Sequence, residues 1–420
     1  MNECVKNVSA KPKILYFTDC PIFGGCENIL ANLINDRGIN TKYELYYSYA
    51  FSDEYQKGVD LKVGNGAKKY PLKLLSSYSI SNKRNGTFMK RIFRKALFMT
   101  KFAIFTLFNA IRMFFIFMKI KPDLLHINNG GYPGAFNCRL AVLCARTAGI
   151  RKIVFHVNNL ARRQANLLDK MLDHYIGSNV ICFITASQEA KQMLARNRSF
   201  DQSKIMQIYN SVQRGTIRRS KELLMTNYRL DAHMFIITEV AQMIERKGQA
   251  HLLAAVNSIK NTRPDIYKNI MVFLVGDGED AENIKRYIES NDLGGHVILT
   301  GNRDDFMDYI NACDIFILPS IKDEDMPLAI LHAMELGKPI ISTKLAGISE
   351  EIRSGKDGIL LDVDKLSELS ETIIEYYSDP GKRLEHGTSA KARHDQMFDY
   401  AKIMKKYDCL YRDISEGINK

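Results

Sequence analysis

Short, continuous apolar runs recur along the 420 residues and are separated by longer amphipathic stretches. The runs at 13–19 (KILYFTD), 43–50, 123–128 (DLLHIN), 152–157, 180–186 and 204–209 predict a first series of strands, with helices over 132–148, 162–176 and 188–195 between them. A second series predicts strands near 233–241, 270–277, 296–301, 315–318, 339–342 and 359–361, followed by charged helix to the C-terminus. Unbroken apolar runs are the pattern of parallel strands covered on both faces. Strand and helix in alternation predict doubly wound α/β domains. Residues 51–86 are polar and glycine-bearing and carry no readable element.

The densest block is 315–361. Its first strand stops at Pro319 and Ser320, and an acidic loop with Asp323, Glu324 and Asp325 follows. Pro327 then suits the first turn of a helix, because its missing N–H would have had no partner there; Gly337 and Pro339 end that helix. A loop at the carboxyl end of a parallel strand is where open α/β sheets bind ligands. Helix N-termini attract anions, so carboxylates at such a place need something other than phosphate to hold. Adjacent sugar hydroxyls fit, since an ionised carboxylate accepts from two O–H groups at once. A nucleotide sugar carries both the hydroxyls and the phosphate.

The residues from Glu324, E-D-M-P-L-A-I-L-H-A-M-E-L-G-K-P-I, resemble the acidic loop E-G-F/M-P-L-x-x-L-E-A-M-A-x-G-x-P-V of the group 1 (family 4) retaining glycosyltransferases of GT-B fold. The family's first Glu falls on Glu324, while its second Glu, at the nucleotide ribose, is His332 in this chain; Asp325, Met326, Pro327 and Leu328 lie between them. Gly24 and Gly25 before Glu27 match the family's G-G-x-E after the first strand, where backbone N–H groups approach the donor phosphate. QMIERKGQ, residues 242–249, corresponds to R-L-V-x-x-K-G-x: Lys247 matches the lysine at the donor diphosphate, and Gln242 stands where an Arg is usual. Arg246 can supply that lost charge. Tyr209-Asn210-Ser211-Val212 resembles the P-N-G-V that leads into the second domain. Gly276 and Gly278 in VGDGEDAENI, and Gly347 at another helix start, form glycine turns suited to phosphate or base. His156 ends a strand at a place where many members have a His that reaches the donor; as a sequence feature alone it reads equally as a structural His.

The resemblance implies a GT-B architecture of two Rossmann-like, doubly wound domains facing a cleft. Residues 1–212 would form the acceptor-side domain, 213–396 the nucleotide-sugar domain, and a helix over 397–420 would pack back on the first. It also implies transfer of a sugar with retention, no metal cofactor, Glu324 and His156 as the catalytic residues, and Gly24, Gly25, Gln242, Arg246, Lys247, Gly276, Gly278, Asp325, Met326, Pro327, Leu328, His332 and Gly347 around the donor. A non-catalytic partner subunit, to which Gln242 and His332 point, or an epimerase or hydrolase of the same fold, is the alternative.

Composition narrows the setting. Eight cysteines without a C-x-x-C pair read as reduced thiols, and the N-terminus lacks the apolar core of a signal peptide; both point to the cytoplasm. Fourteen basic residues and no acidic one lie between Asp60 and Asp123, more than the whole chain's net +12. One anionic partner at one place is the expectation, and nucleic acid is excluded because the rest of the chain is not basic. The Phe-rich helix expected over 88–120 carries Arg94, Lys101, Arg112 and Lys119 on one stripe. The run 102–118 falls short of the ~20 residues a span needs, and a central Arg costs about 3 kcal/mol there. The reading is an interfacial helix on the anionic inner face of the cell membrane, with a lipid-linked or glycan acceptor of the surface-polysaccharide type.

Overall fold

All the expected strands form, and every pairing among them is parallel. The computed structural model describes residues 11–20, 22–75, 88–231 and 233–417, and side chains over the same residues except 88–99. The chain divides into two units: Met1–Thr185, Lys191–Ile208 and Met404–Lys420 form one, and Ala186–Ala190 with Tyr209–Ile403 the other.

The first unit is built on β1 (Lys13–Thr18), β2 (Glu44–Ala50), β3 (Ala67–Leu72), β4 (Leu124–Asn129), β5 (Ile153–Val157), β6 (Cys182–Thr185) and β7 (Ile205–Gln207), in the order β3-β2-β1-β4-β5-β6-β7. Side chains alternate across a strand. Leu15, Phe17, Leu125, Ile127 and Phe155 therefore share one face, where they meet Met113 and Phe117 of the helix Phe88–Ile120, Ala141 of Phe136–Thr147 and Ile176 of Leu167–Asn179. Those three helices form one layer. On the opposite face, Tyr16, His126 and His156 lie against Tyr407 and Tyr411 of the C-terminal helix Tyr400–Glu416.

Three local expectations change. The stretch 51–86 is not featureless: Asp53–Lys62 is a helix whose N-cap Ser52 accepts from the Tyr55 N–H, and β3 pairs with β2 at the sheet edge. Only Tyr55 and Val59 of that helix are buried, so its apolar signal is a single pair of positions one turn apart. Residues 76–87 lie outside the described ones. The helices expected from 132 and 162 begin at Phe136 and Leu167, because Tyr132 is buried with its hydroxyl donating to Asp173 at 2.6 Å and Asn166 is the N-cap of the later helix. The charged stripe is less free than expected. Arg112 Nη1 donates to the Lys73 carbonyl at 2.8 Å, and its guanidinium stacks 4.4 Å from the Phe108 ring.

By length and composition the 21-residue stretch Thr100–Ile120 is apolar enough to cross a membrane, with mean hydropathy 1.7 over its most apolar 18 residues. One face of that stretch is packed, with Met113, Phe117 and Ile120 at most 3% exposed in the sheet's core, and 22% of its apolar window is buried. Arg94 falls among the residues whose side chains are not described.

The second unit repeats the plan with β8 (Phe235–Val240), β9 (Ile270–Val275), β10 (Val297–Gly301), β11 (Ile315–Leu318), β12 (Ile340–Thr343) and β13 (Gly358–Leu361), ordered β10-β9-β8-β11-β12-β13. In each sheet the winding reverses next to the first strand of the series, between β1 and β4 and between β8 and β11. At such a switch point the loops leaving two neighbouring strands diverge and open a crevice at the carboxyl edge.

Candidate functional site

The loops that follow β8 and β11 flank the switch point of the second sheet, and they carry the most charged of the expected residues. After β8 the chain makes the turn Glu245–Lys247 and begins the helix Gln249–Thr262 at Gly248. Gly248 has φ +83°, and a Cβ there would lie 2.0 Å from the Pro319 carbonyl oxygen, so only glycine lets the two loops touch. That contact sets Arg246 and Lys247 beside the acidic loop. Lys247 Nζ pairs with Glu324 Oε2, Arg246 Nη1 lies 3.2 Å from the same oxygen, and Ser320 Oγ donates to it at 3.2 Å. Arg246 also donates to the Asp323 carbonyl at 3.1 Å, and Asp323 itself has φ +51°.

One residue on, Asp325 turns the other way. Its Oδ1 accepts from Ser187 Oγ at 2.5 Å and from the Gly347 N–H at 3.0 Å, which ties the loop after β11 to the one after β12. A Cβ at Gly347 would meet Asp325 Oδ1 at 2.5 Å. Met326 is buried and its carbonyl accepts from Asn210 at 2.9 Å; Pro327 is the N-cap of Leu328–Glu335, one position earlier than expected. Gly276 and Gly278 pack the loop after β9 onto the loop after β8, since a Cβ on either would strike the carbonyl of Ala241 or Met243. Gln242 is exposed, with its carbonyl accepting from Gln249 at 3.2 Å. His332 stands apart from the Glu324 group: its ring is edge-on to Phe306 at 5.2 Å, and Nδ1 lies 3.5 Å from Glu335 Oε2.

In the first unit, Gly24 is the N-cap of Gly25–Asn35, and Glu27 closes a capping box by accepting from the Gly24 N–H at 3.2 Å. The Glu of the G-G-x-E pattern thus holds the turn in shape. His156 is not brought to this turn. It is fully buried beside His126 and Tyr407, both ring nitrogens lack a partner among the described residues, and burial lowers its pKa to about 3, so the ring is neutral. Side chains that do bond beyond the strands at this edge include Asn128, Asn129 and Asn158, with Asn129 donating to the Gly134 carbonyl at 2.8 Å. Asn158 Nδ2 donates to Asn128 Oδ1 at 2.8 Å, and Asn128 Nδ2 donates to the Cys26 carbonyl at 3.3 Å.

Residues 220–393 match the family described as glycosyl transferases group 1. The matched stretch lies within the second unit. Among its relatives is an Escherichia coli protein, UDP-Gal:alpha-D-GlcNAc-diphosphoundecaprenol alpha-1,3-galactosyltransferase, 26% identical over 64% of this chain and 70% of that one. An uncharacterized glycosyltransferase of Methanocaldococcus jannaschii is 23% identical over 93% of this chain and 95% of its own. Among solved structures, Anabaena HepE in complex with UDP superposes with a TM-score of 0.75 at 17% identity, covering 96% of this chain and 100% of that one. The chain therefore has the GT-B fold, two Rossmann-like domains in one chain.

Two further carboxylates in the second unit lie outside the residues that the sequence motifs single out. Glu239, at the end of β8, is 1% exposed and neither of its oxygens has a partner among the described residues; burial pushes its pKa well up, with Lys247 pulling it back. Glu351 is fully buried and likewise without a partner among the described residues, its pKa raised by burial and then by the charges of Asp325, Glu324 and Glu350. Burial also lifts Asp325 to about 7, against its two hydrogen bonds. Lys247 is thus felt by three carboxyl groups, of which Glu324 is the one in contact. The only hint of Glu239 in the sequence is a charged residue inside an otherwise apolar strand run.

Proposed function

We propose that the chain transfers a sugar, with retention, from a nucleoside diphosphate sugar to a lipid-linked glycan at the cytoplasmic face of a membrane. The observation that carries this reading is the meeting of Lys247, Arg246 and Ser320 at one oxygen of Glu324 on the switch point of the second sheet. Two cations held on a carboxylate that accepts hydroxyl hydrogen bonds are suited to a ligand with phosphate at one end and a sugar at the other. The donor's diphosphate would share Lys247 and Arg246 with Glu324, and Glu324 would orient the sugar hydroxyls. Helix Gln249–Thr262, whose N-cap Gly248 offers no side chain, adds free N–H groups at the same loop.

In the step itself the bond from the anomeric carbon to the phosphate oxygen breaks and the diphosphate leaves with both electrons. The acceptor oxygen bonds to the anomeric carbon on the same face, and its proton passes to the departing phosphate. Charge on the leaving group is met by Lys247 and Arg246, which makes a metal unnecessary. The acceptor class is supported by the Escherichia coli relative, whose name gives a diphosphoundecaprenol-linked sugar as acceptor. The membrane is supported by the exposed apolar face of the long helix over Thr100–Ile120, with Lys101 and Lys119 near the two ends of that stretch.

The test is transfer from a panel of UDP sugars to diphosphoundecaprenol-linked glycans, with the product anomer read by NMR and parallel reactions in chelator. Transfer with retention, undiminished by chelator, is expected. Donor hydrolysis that proceeds equally without acceptor would show a hydrolase, an inverted product would overturn retention, and donor binding without turnover would show a non-catalytic partner.

A further inference from the structure

The helix Leu167–Asn179 presents an apolar face to solvent that nothing in the catalytic reading uses. Leu167 is 71% exposed, Leu168 75% and Met171 61%, and Tyr175 is exposed one turn further on. These positions fall on one side of a helix. Its two acids point elsewhere. Asp169 is paired with Arg139 at 2.6 Å and Arg198 at 2.8 Å, while Asp173 is buried against Arg198 at 2.8 Å and accepts from Tyr132 and Gln164. The ionisable groups left on the outer side are Lys170 and His174, with Arg163 exposed just before the helix. An apolar face edged by cations and cleared of anions is complementary to an anionic lipid surface.

The place of this helix strengthens the case. Together with Phe88–Ile120 and Phe136–Thr147 it forms one layer on one face of the first sheet, and Phe136–Thr147 lies between the other two. The outer sides of the flanking helices therefore face the same half-space. The long helix also exposes a row, with Leu107 at 63%, Phe115 at 67%, and Ile104 and Ile111 beside them. The middle helix exposes no large apolar side chain. In the second unit the exposed ones stand singly, at Ile217, Leu223 and Leu384. Scattered single residues are ordinary, whereas two parallel rows on one face are not.

We propose that helix Leu167–Asn179 is a second membrane-docking element, which seats the first unit on an anionic bilayer along two lines of contact. The inference rests on the membrane reading given under Proposed function and adds to it. Two lines fix the tilt of the unit about the long helix, which a single helix lying in the interface leaves free to roll. The carboxyl edge of the first sheet is then held at one height above the lipid.

The chain has no tryptophan, so a single introduced one reports its own surroundings. Full-length Leu168→Trp and Phe115→Trp would each be titrated with phosphatidylglycerol vesicles and with phosphatidylcholine vesicles, reading emission wavelength and acrylamide quenching. Both are expected to shift to the blue and become protected on the anionic vesicles. A shift at Phe115→Trp without one at Leu168→Trp overturns this proposal and leaves the long helix as the sole anchor. No shift at either overturns the membrane reading itself. In the otherwise native chain, Leu167→Ser, Leu168→Ser and Met171→Ser together should weaken vesicle binding by about 10²-fold from lost apolar burial while nucleoside diphosphate affinity is kept. If instead that triple variant binds vesicles like the native chain and light scattering shows that it has lost self-association, the face is a contact with a second copy and the proposal falls.

Discussion

Glu324 takes three donors on a single oxygen, so its charge is what the neighbouring loops are arranged around. Glu324→Gln keeps the volume but exchanges charge-assisted bonds for neutral ones of about half the strength. Turnover should fall about 10²-fold or more, in line with the loss of an electrostatic stabiliser, and native rates of transfer would remove Glu324 from the mechanism. Lys247→Ala addresses the other end of the donor. Calorimetry should show weaker binding of the free nucleoside diphosphate as well as the nucleotide sugar, because the phosphates are common to both. Unchanged nucleoside diphosphate affinity would place Lys247 outside the phosphate site.

Glu351 makes a prediction about stability. Its pKa in the folded chain lies well above the usual 4.5, so the native state holds a proton that the unfolded chain has released. Its contribution is therefore most favourable below the ordinary carboxylate value and is lost as pH rises toward the folded one. Glu351→Gln mimics the protonated form at every pH. Thermal unfolding should occur at a higher temperature than in the native chain at pH 7, with the difference closing by pH 4; a constant difference across that range would mean that Glu351 is ionised in the fold.

At the scale of elements, the long helix combines a face in the core with a face in solvent. Its outer side over Thr100–Ile120 carries Lys101 and Lys119 near the two ends of that stretch, with the Lys119 ammonium 5.3 Å from the Tyr70 ring, and Arg112 is engaged with Lys73 and Phe108. Each basic side chain near an anionic leaflet is worth about 1 kcal/mol and is screened by salt. Reversing both lysines, Lys101→Glu with Lys119→Glu, changes four units of charge. Binding to anionic vesicles should drop by at least about 10²-fold at low salt, with little change on zwitterionic ones. An equal loss on both kinds of vesicle would mean that the charges act through the fold and not through the lipid.

At the scale of the whole molecule, the chain finishes in the unit where it began. Residues 404–420 belong to the first unit, and Tyr407 and Tyr411 cover Tyr16, His126 and His156 on the sheet. Tyr411 is fully buried and its hydroxyl meets His126 Nδ1 at 2.8 Å. Tyr411→Ala should destabilise the first unit by about 3–5 kcal/mol, the range for an aromatic side chain deleted from a core. Denaturant unfolding monitored by hydrogen exchange would localise the loss to the first sheet. A loss confined to the C-terminal helix would show that the helix is only loosely attached.

The buried parallel strands could be read from local sequence, because a strand covered on both faces is apolar along its whole length. Ile315–Leu318 and the helix to Glu335 were read from the chain to within a residue or two. The segment Asp53–Lys62 and β3 escaped because an edge strand and a surface helix bury so few positions that no period stands out. The site followed the same division. Arg246, Lys247 and Glu324 are visible as motif residues, yet 77 positions separate Lys247 from Glu324, and what joins them is the pairing of β8 with β11. Glu239 and Glu351 look like ordinary carboxylates in the chain and are enclosed only by the closing of their sheet. His156 sits where a strand ends, as expected, but its ring is packed between His126 and Tyr407, and Asn158, just past the end of β5, is the residue that bonds Asn128 and Asn129 at the sheet edge. Periodicity is a property of neighbours in sequence, whereas enclosure and loop proximity depend on which strands lie side by side.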